Sequence, residues 1–170
     1  AGRMTQLDIR LPAGMRAATS ADWRQLGDTT AEAFAADPVN LWVFGTAAPM
    51  KPVFSTLAKH VYLKRGTCHI SGDEGATMWS HSSANREAGM LGMMGIVHAL
   101  ITKGTKGAAK RGLTIAETMA KEHPKAPHMY LFTIGTRTAA PGKGVGKRLI
   151  SPVLDAADRA GLPCYLENSN

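Results

Sequence analysis

The chain has 170 residues, of which 44% are hydrophobic, and a formal net charge of +7. That length suits a single globular domain over residues 1–170, with residues 1–3 interpreted as a cloning remnant ahead of Met4. No apolar run is long enough to cross a bilayer, and the N-terminus lacks the apolar stretch of a signal peptide. The cysteines, Cys68 and Cys164, form no disulfide framework, so we expect reduced, buried thiols in a cytoplasmic protein.

The first third of the chain predicts a short strand followed by two helices. Residues 15–18 form a weak strand, after which Thr19 and Asp22 have the spacing of a capping box that opens a helix. Asp37-Pro38 ends this helix, because proline disfavours the helical conformation in the residue before it. Apolar residues on one face predict a second helix over residues 50–64.

The middle of the chain predicts a β-hairpin over residues 67–80 and then a helical insertion over residues 81–127. The methionine-rich run at 90–97 is expected to be helical and to fill a core, although it also suits a lid over a substrate. Thr114 and Glu117 have capping-box spacing and predict a short helix that ends before the next proline.

The basic residues between positions 103 and 111 are interpreted as a solvated loop. The alternative is a nucleic-acid patch, but the positive charges elsewhere are widely spread, and a polyanionic cofactor explains the balance more simply. His69 and His81 have no partners at metal-ligand spacing, so no metal is expected.

The glycine-rich turn PGKGVGKR, residues 141–148, lies between an apolar strand at 129–136 and a helical pattern that begins at Val145. The first N–H groups of a helix have no intrahelical acceptor and carry the positive end of the helix dipole, so they attract an anion. Glycines let that backbone approach a phosphate closely. The turn therefore predicts a pyrophosphate site, although a glycine-containing helix entry is the plainer alternative.

Spacing excludes two common phosphate loops. A P-loop would need glycine at 141 and serine or threonine at 148, where the chain has Pro141 and Arg148. The dinucleotide fingerprint counted from Gly142 would need a third glycine at Lys147. What remains resembles the cofactor signature of the GCN5-related N-acetyltransferases (GNAT), with Pro141 in place of their glutamine or arginine.

Two further runs, HPKAPHMYL at 123–131 and GLPCYLE at 161–167, are similar to the branch of that superfamily containing puromycin N-acetyltransferase. The resemblance is loose over most of the chain and follows motifs from His123 onward. It implies an α+β fold, layered α/β/α, with a mixed and largely antiparallel sheet whose central strands splay apart.

The resemblance also implies a set of site residues. The pantetheine arm of acetyl-CoA would lie between the splayed strands, and its pyrophosphate on the glycine-rich turn. The cofactor-binding residues implied in this way are Ile134, Gly135, Thr136, Gly142, Lys143, Gly144, Val145, Gly146 and Lys147. The implied contacts to an amine acceptor are Asp37, Trp42 and Trp79, where Trp79 could equally pack under the site.

The implied reaction is direct attack of a neutral amine of a small molecule on the acetyl thioester. An alkyl ammonium needs a base, and Glu167 is the candidate catalytic residue, with a structural carboxylate as the alternative. Tyr130 and Tyr165 are interpreted as packed aromatics. The expected partner is thus a small-molecule amine, without membrane or nucleic acid, and a homodimer stays open.

In this family a tyrosine and further strands follow the strand that ends at Glu167, and the present sequence stops at Asn170. We therefore expect a sheet that lacks its C-terminal strands and has no counterpart of that tyrosine. The alternative function is a CoA-binding or non-catalytic module of the same fold.

Overall fold

A five-stranded sheet forms the centre of the computed structural model, which describes residues 7–137 and 144–167. The strands lie in chain order, with antiparallel pairing from β1 to β4 and a parallel pair between β4 and β5. This mixed, largely antiparallel sheet is the one that the family resemblance implies. The strands are β1 (Met15–Ala17), β2 (Thr67–Ser71), β3 (Gly75–His81), β4 (Met129–Thr136) and β5 (Cys164–Leu166).

Helices cover both faces of the sheet, which gives the three layers expected. On one face α7 packs through Val145, Leu149 and Val153, with Trp79 in the same layer. On the other face α1 and α3 cover the sheet, α5 packs outside α3, and α6 packs on α2 and α5. The helices are α1 (Trp23–Phe34), α2 (Pro38–Phe44), α3 (Met50–Leu57), α4 (Leu63–Arg65), α5 (Gly89–Lys103), α6 (Ala108–Glu122) and α7 (Val145–Arg159).

The predicted capping box at the start of the first helix is confirmed. The Thr19 N–H donates to Asp22 Oδ2 at 2.7 Å, and a 3₁₀ turn at Ser20–Asp22 leads into α1. Arg16 on β1 forms an ion pair with the same carboxylate at 2.7 Å, and this contact is the main reason that the pKa of Asp22 lies well below its usual range. The cap therefore also fixes α1 to the first strand.

The second predicted helix, over residues 50–64, is also present, but it is not α-helical throughout. A π-helical turn at Ala58–Tyr62 separates α3 from α4. Such a turn holds one extra residue and shifts the side-chain phase along the helix. Here it leaves Tyr62 stacked on Phe132 of β4, with ring centroids 4.5 Å apart.

The prediction of a helix start at Thr114 is wrong. α6 is one helix that begins at Ala108, and Thr114 lies inside it, where its hydroxyl donates to the Lys110 carbonyl at 3.0 Å. Positions 108–111 are therefore helical and not a solvated loop. The Arg111 Nε donates to the Trp42 carbonyl at 2.8 Å, so this basic side chain joins α6 to α2.

The expectation of two buried thiols holds for Cys68 and is wrong for Cys164. Cys68 lies in the core, and burial raises the pKa of its thiol to about 12. Cys164 is exposed because β5 has no strand on its outer side within the described residues.

Within the ranges 7–137 and 144–167, none of the helices has the length and apolar character that a bilayer crossing demands.

Candidate active site

A cleft opens beside β4 where β5 stops. The two strands pair only at their beginnings, from Met129 opposite Cys164 to Leu131 opposite Leu166. β4 then continues to Thr136, so one of its edges has no strand partner in the part of the chain that the structure describes. A cavity of about 390 Å³ lies there, with Ile134 and Leu166 in its walls.

A β-bulge in β4 lies at the same point. Leu131 is opposite Trp79 and Thr133 is opposite Met78, so Phe132 has no partner on β3. An extra residue of this kind bends a strand and increases its twist, and bulges are common next to active sites. The bulge therefore accounts for the separation of β4 from β5, and no glycine or proline in the sequence marks it.

The cavity walls combine apolar rings with two carboxylates. Phe34, Phe54 and Phe132 supply aromatic surface, and the carboxylates are Asp37 and Glu167. Apolar pockets with a few polar groups are typical binding sites for small molecules. The cavity thus brings together three of the predicted site residues, Asp37, Ile134 and Glu167.

Asp37 is held by the start of α2. Its Oδ2 accepts from the Asn40 backbone N–H and from Asn40 Nδ2, both at 2.9 Å. Pro38 occupies the first helical position, which suits its fixed φ angle. The predicted end of the first helix at Asp37-Pro38 is therefore also the start of the next one, and this capping role places the carboxylate at the cavity wall.

Glu167 follows β5 and has a preformed environment. The Tyr130 hydroxyl donates to its Oε2 at 2.9 Å, and His123 Nδ1 lies 3.7 Å from its Oε1. Burial is the main cause that raises the pKa of Tyr130, so this hydroxyl stays protonated and remains a donor. Tyr130 is thus more than the packed aromatic that the sequence predicts.

Two histidines that sequence reasoning left unassigned complete this arrangement. The Nε2 atoms of His123 and His128 are 2.8 Å apart, and His128 Nδ1 lies 2.7 Å from the Ala126 carbonyl. Their only signal in the sequence is that both occur in the run at 123–131, directly before the strand that forms the cleft.

The described part of the glycine-rich turn forms the N-terminus of α7. Gly142 and Lys143 lie outside the described residues. Gly144 is the N-cap with φ 69°, and the first turn of α7 closes with the Arg148 N–H donating to its carbonyl at 3.1 Å. The earlier amides, from Val145 to Lys147, have no acceptor within the described ranges.

This helix start lies against the open part of β4. A Cβ built on Gly146 would be 3.7 Å from Ile134 Cδ1 and 4.0 Å from Thr136 Cγ2. The segments that are predicted to bind the pyrophosphate and the pantetheine arm are therefore neighbours in the structure. Lys147 borders a second cavity of about 600 Å³, whereas Arg148 pairs with Glu74, so its charge is used within the protein.

Gly135 has a packing role in addition to any contact with a cofactor. A Cβ at this position would be 3.2 Å from the Thr29 carbonyl oxygen and 3.3 Å from Ala33 Cβ. The glycine therefore allows α1 to approach β4 closely.

The structure does not bring the two predicted tryptophans to the cavity. Trp42 is 54% exposed on α2, and Trp79 is 1% exposed between the sheet and α7, packed with Val153. Neither lines the cavity beside β4. Phe44, two positions further along α2, is buried in the core.

Comparisons with known proteins connect this architecture to acetyltransferases. An uncharacterised N-acetyltransferase from Schizosaccharomyces pombe is 25% identical over 162 residues, and the alignment covers 88% of this chain and 66% of the relative. The chain thus spans about two thirds of that relative's length. No protein-family model matches the chain.

Two solved structures share the fold. The first is described as histone acetyltransferase HPA2 and related acetyltransferase from Corynebacterium glutamicum. It aligns with a TM-score of 0.63 at 24% identity, over 92% of this chain and 76% of its own. Arylalkylamine N-acetyltransferase 2 from Aedes aegypti aligns with a TM-score of 0.51 at 16% identity, over 91% and 73%.

Proposed function

We propose that this protein, which has the fold of the GCN5-related N-acetyltransferases, transfers the acetyl group of acetyl-CoA to a primary amine of a small molecule. The observation that carries this proposal is the open edge of β4 beside a cavity of about 390 Å³ that contains Glu167. The superfamily resemblance drawn from the sequence is confirmed at this level, and the puromycin-related branch stays a prediction.

The residues present fit acetyl-CoA in two places. The unpaired edge of β4 around Ile134 offers backbone groups to a pantetheine arm, which carries amides of its own. The free amides at the start of α7, from Val145 to Lys147, suit the pyrophosphate, and Lys147 adds a full positive charge. Bound there, acetyl-CoA supplies an acyl group that is already activated as a thioester.

The cavity favours an amine with an apolar or aromatic body. Phe34, Phe54 and Phe132 offer apolar contacts, and the carboxylates of Asp37 and Glu167 attract an ammonium group. The name of the mosquito protein specifies arylalkylamines, a substrate class that this lining would also suit. We therefore place the acceptor between Asp37 and the end of β5.

Glu167 is proposed as the general base. An alkyl ammonium with a pKa of about 10 must lose a proton before its nitrogen can attack, and a positioned carboxylate can accept that proton directly or through water. The hydrogen bond from Tyr130 fixes the orientation of the carboxylate at 2.9 Å. The second carboxylate oxygen, Oε1, has no hydrogen-bond partner within the described residues.

Incubation with radiolabelled acetyl-CoA and a panel of apolar and polar primary amines tests the proposal. Label on an amine, with preference for aromatic amines, is the expected result. The second candidate is a CoA-binding module of the same fold, which would bind CoA in a calorimeter and leave every amine unlabelled. Absence of CoA binding would exclude both candidates.

A further inference from the structure

Hydrogen-bond chemistry determines which nitrogen atoms of the two histidines carry protons. The Ala126 carbonyl can only accept, so His128 Nδ1, 2.7 Å away, carries a hydrogen. In a neutral His128 the Nε2 atom is then an acceptor. Because His123 Nε2 lies 2.8 Å from it, the hydrogen between the two rings belongs to His123.

As a consequence, an unprotonated ring nitrogen of His123 faces the carboxylate of Glu167. A neutral His123 with its hydrogen on Nε2 has a lone pair on Nδ1, and this atom lies 3.7 Å from Glu167 Oε1. Both atoms are acceptors, and 3.7 Å is longer than a hydrogen bond. Glu167 Oε1 is buried and has no hydrogen-bond partner within the described residues. The space between these atoms therefore lacks one proton.

We propose that His123 and Glu167 form one proton-accepting unit, in which His128 is the positioning residue that keeps the Nδ1 lone pair of His123 directed at the carboxylate. The catalytic part of this proposal rests on the proposed function. One proton leaves the attacking amine and occupies the position between Glu167 Oε1 and His123 Nδ1. It returns to solvent after the product has left, and no group is oxidised or reduced.

The surroundings favour the form that lacks this proton before the reaction. Burial lowers the pKa of His123, and the positive charge of Arg86 lowers it further, against the opposing effect of Glu167. Arg86 lies over the Tyr130 ring at 4.9 Å from its centroid. The other titratable groups that face the unit are Tyr62 and Tyr165, and Glu122 acts on Tyr165.

Tyr130 already donates to Glu167 Oε2, so an acceptor beside Oε1 leaves the carboxylate more basic than a second donor would. A carboxylate that accepts a hydrogen bond keeps its charge more readily and takes up a proton less readily. If His123 could move its hydrogen to Nδ1, it would become such a donor. The contact between the two rings prevents this change, because His123 Nε2 would then have no hydrogen to donate.

Long-range ¹⁵N–¹H correlation spectra of the full chain test the unit without any substrate. We expect His128 to show the Nδ1–H tautomer and His123 the Nε2–H tautomer at pH 8. The pKa of His123 should fall when Glu167→Gln removes the carboxylate charge. His98, exposed on α5, serves as the reference histidine. The opposite tautomer at His123 would overturn the proposal even if the protein proves to be an active transferase.

The His128→Phe variant gives the second test. It should release His123 to the Nδ1–H tautomer, shift the acidic limb of the kcat/KM profile to lower pH by about one unit, and lower kcat/KM about tenfold. His128→Gln, which keeps an acceptor for His123, should restore most of the activity and serves if the first variant does not fold. Unchanged tautomer and pH profile in both variants would leave His128 with a structural role only.

If no amine is acetylated, the spectra still decide the proton arrangement, and only the proposed function fails.

Discussion

Gly27 of α1 and Ser55 of α3 are in direct backbone contact. A Cβ built on Gly27 would lie 2.7 Å from Ser55 Cα and 1.8 Å from Ser55 Oγ, distances that no relaxed structure tolerates. The two helices therefore cross closely, with no room for a side chain at position 27. This crossing holds α3, with Phe54 in the cavity wall, against α1, with Phe34 in the same wall.

Gly27→Ala should destabilise the fold strongly. The added methyl group must push α1 and α3 apart, and overpacking of this kind costs about 1–3 kcal/mol or more. Urea unfolding at neutral pH measures the loss. The matched control is Gly95→Ala in α5, where the new Cβ would be 3.4 Å from Thr56 side-chain atoms and the gain in helix propensity is about 1 kcal/mol. Equal stability of both variants would contradict this account of the crossing.

Substitutions at Gly146 separate cofactor binding from folding. Gly146→Trp should abolish calorimetric binding of acetyl-CoA while the circular dichroism spectrum stays unchanged, because the side chain fills the approach to the first amides of α7. Gly146→Ala is the control, since its Cβ makes only an ordinary contact of 3.7 Å with Ile134. Intact binding in the tryptophan variant would show that the pyrophosphate does not lie at this helix start.

Glu167→Gln should lower kcat/KM for the amine by about 10²–10⁴-fold and leave acetyl-CoA affinity unchanged, because the amide cannot accept a proton. Tyr130→Phe removes the orienting hydrogen bond and should lower kcat/KM by about tenfold. Asp73→Asn, an exposed carboxylate in the turn between β2 and β3, controls for loss of charge. Full activity in the glutamine variant would remove Glu167 from the mechanism.

The stability of the protein should fall as the pH drops below about 6.5, the ordinary pKa of histidine. Burial lowers the pKa of His69 to about 4, and this residue is only 2% exposed between the sheet and α7. The unfolded chain therefore binds a proton that the folded chain excludes. The stabilisation is complete above pH 6.5 and is lost towards pH 4, with a total of about 3 kcal/mol.

Urea unfolding of His69→Leu between pH 7.5 and 5 measures this contribution. The part of the pH dependence that comes from His69 should vanish in the variant. It should remain in His98→Leu, where the histidine is exposed on α5. The same acid sensitivity in both variants would assign the effect to other groups.

Sequence patterns predicted those parts of the molecule that local physics determines. The Thr19–Asp22 cap, the hairpin and the bounds of β4 follow from hydrogen-bonding residues and apolar runs close together in the chain. The false helix start at Thr114 shows the limit of such reasoning. A hydroxyl that can cap a helix can also donate to the preceding turn when the apolar spacing continues through it.

The family resemblance implies Asp37, Ile134 and Glu167, which meet in the cavity, whereas the anion site at the glycine-rich turn stays a prediction. The glycines before α7 indicated an anion site, whereas the environment of Glu167 depends on residues 37–44 positions away that meet it through the sheet. Tyr130 and His123 carry no local sign of that contact. Trp79 is the opposite case, a predicted site residue that lies in the core. A large aromatic residue suits a pocket and a core equally well, and here the packing of α7 places it in the core.

The length of α7 determines how far apart its two ends lie. Gly161, with φ 65°, closes the helix with the Leu162 N–H donating to the Ala157 carbonyl at 2.8 Å, and β5 follows after Pro163. A single helix of 15 residues, about 22 Å long, therefore joins the proposed pyrophosphate site to the strand that precedes Glu167. The distance between the proposed pyrophosphate site and Glu167 is thus set by one helix, and a loosened C-terminal turn of α7 should displace β5 and Glu167 without disturbing the start of the helix.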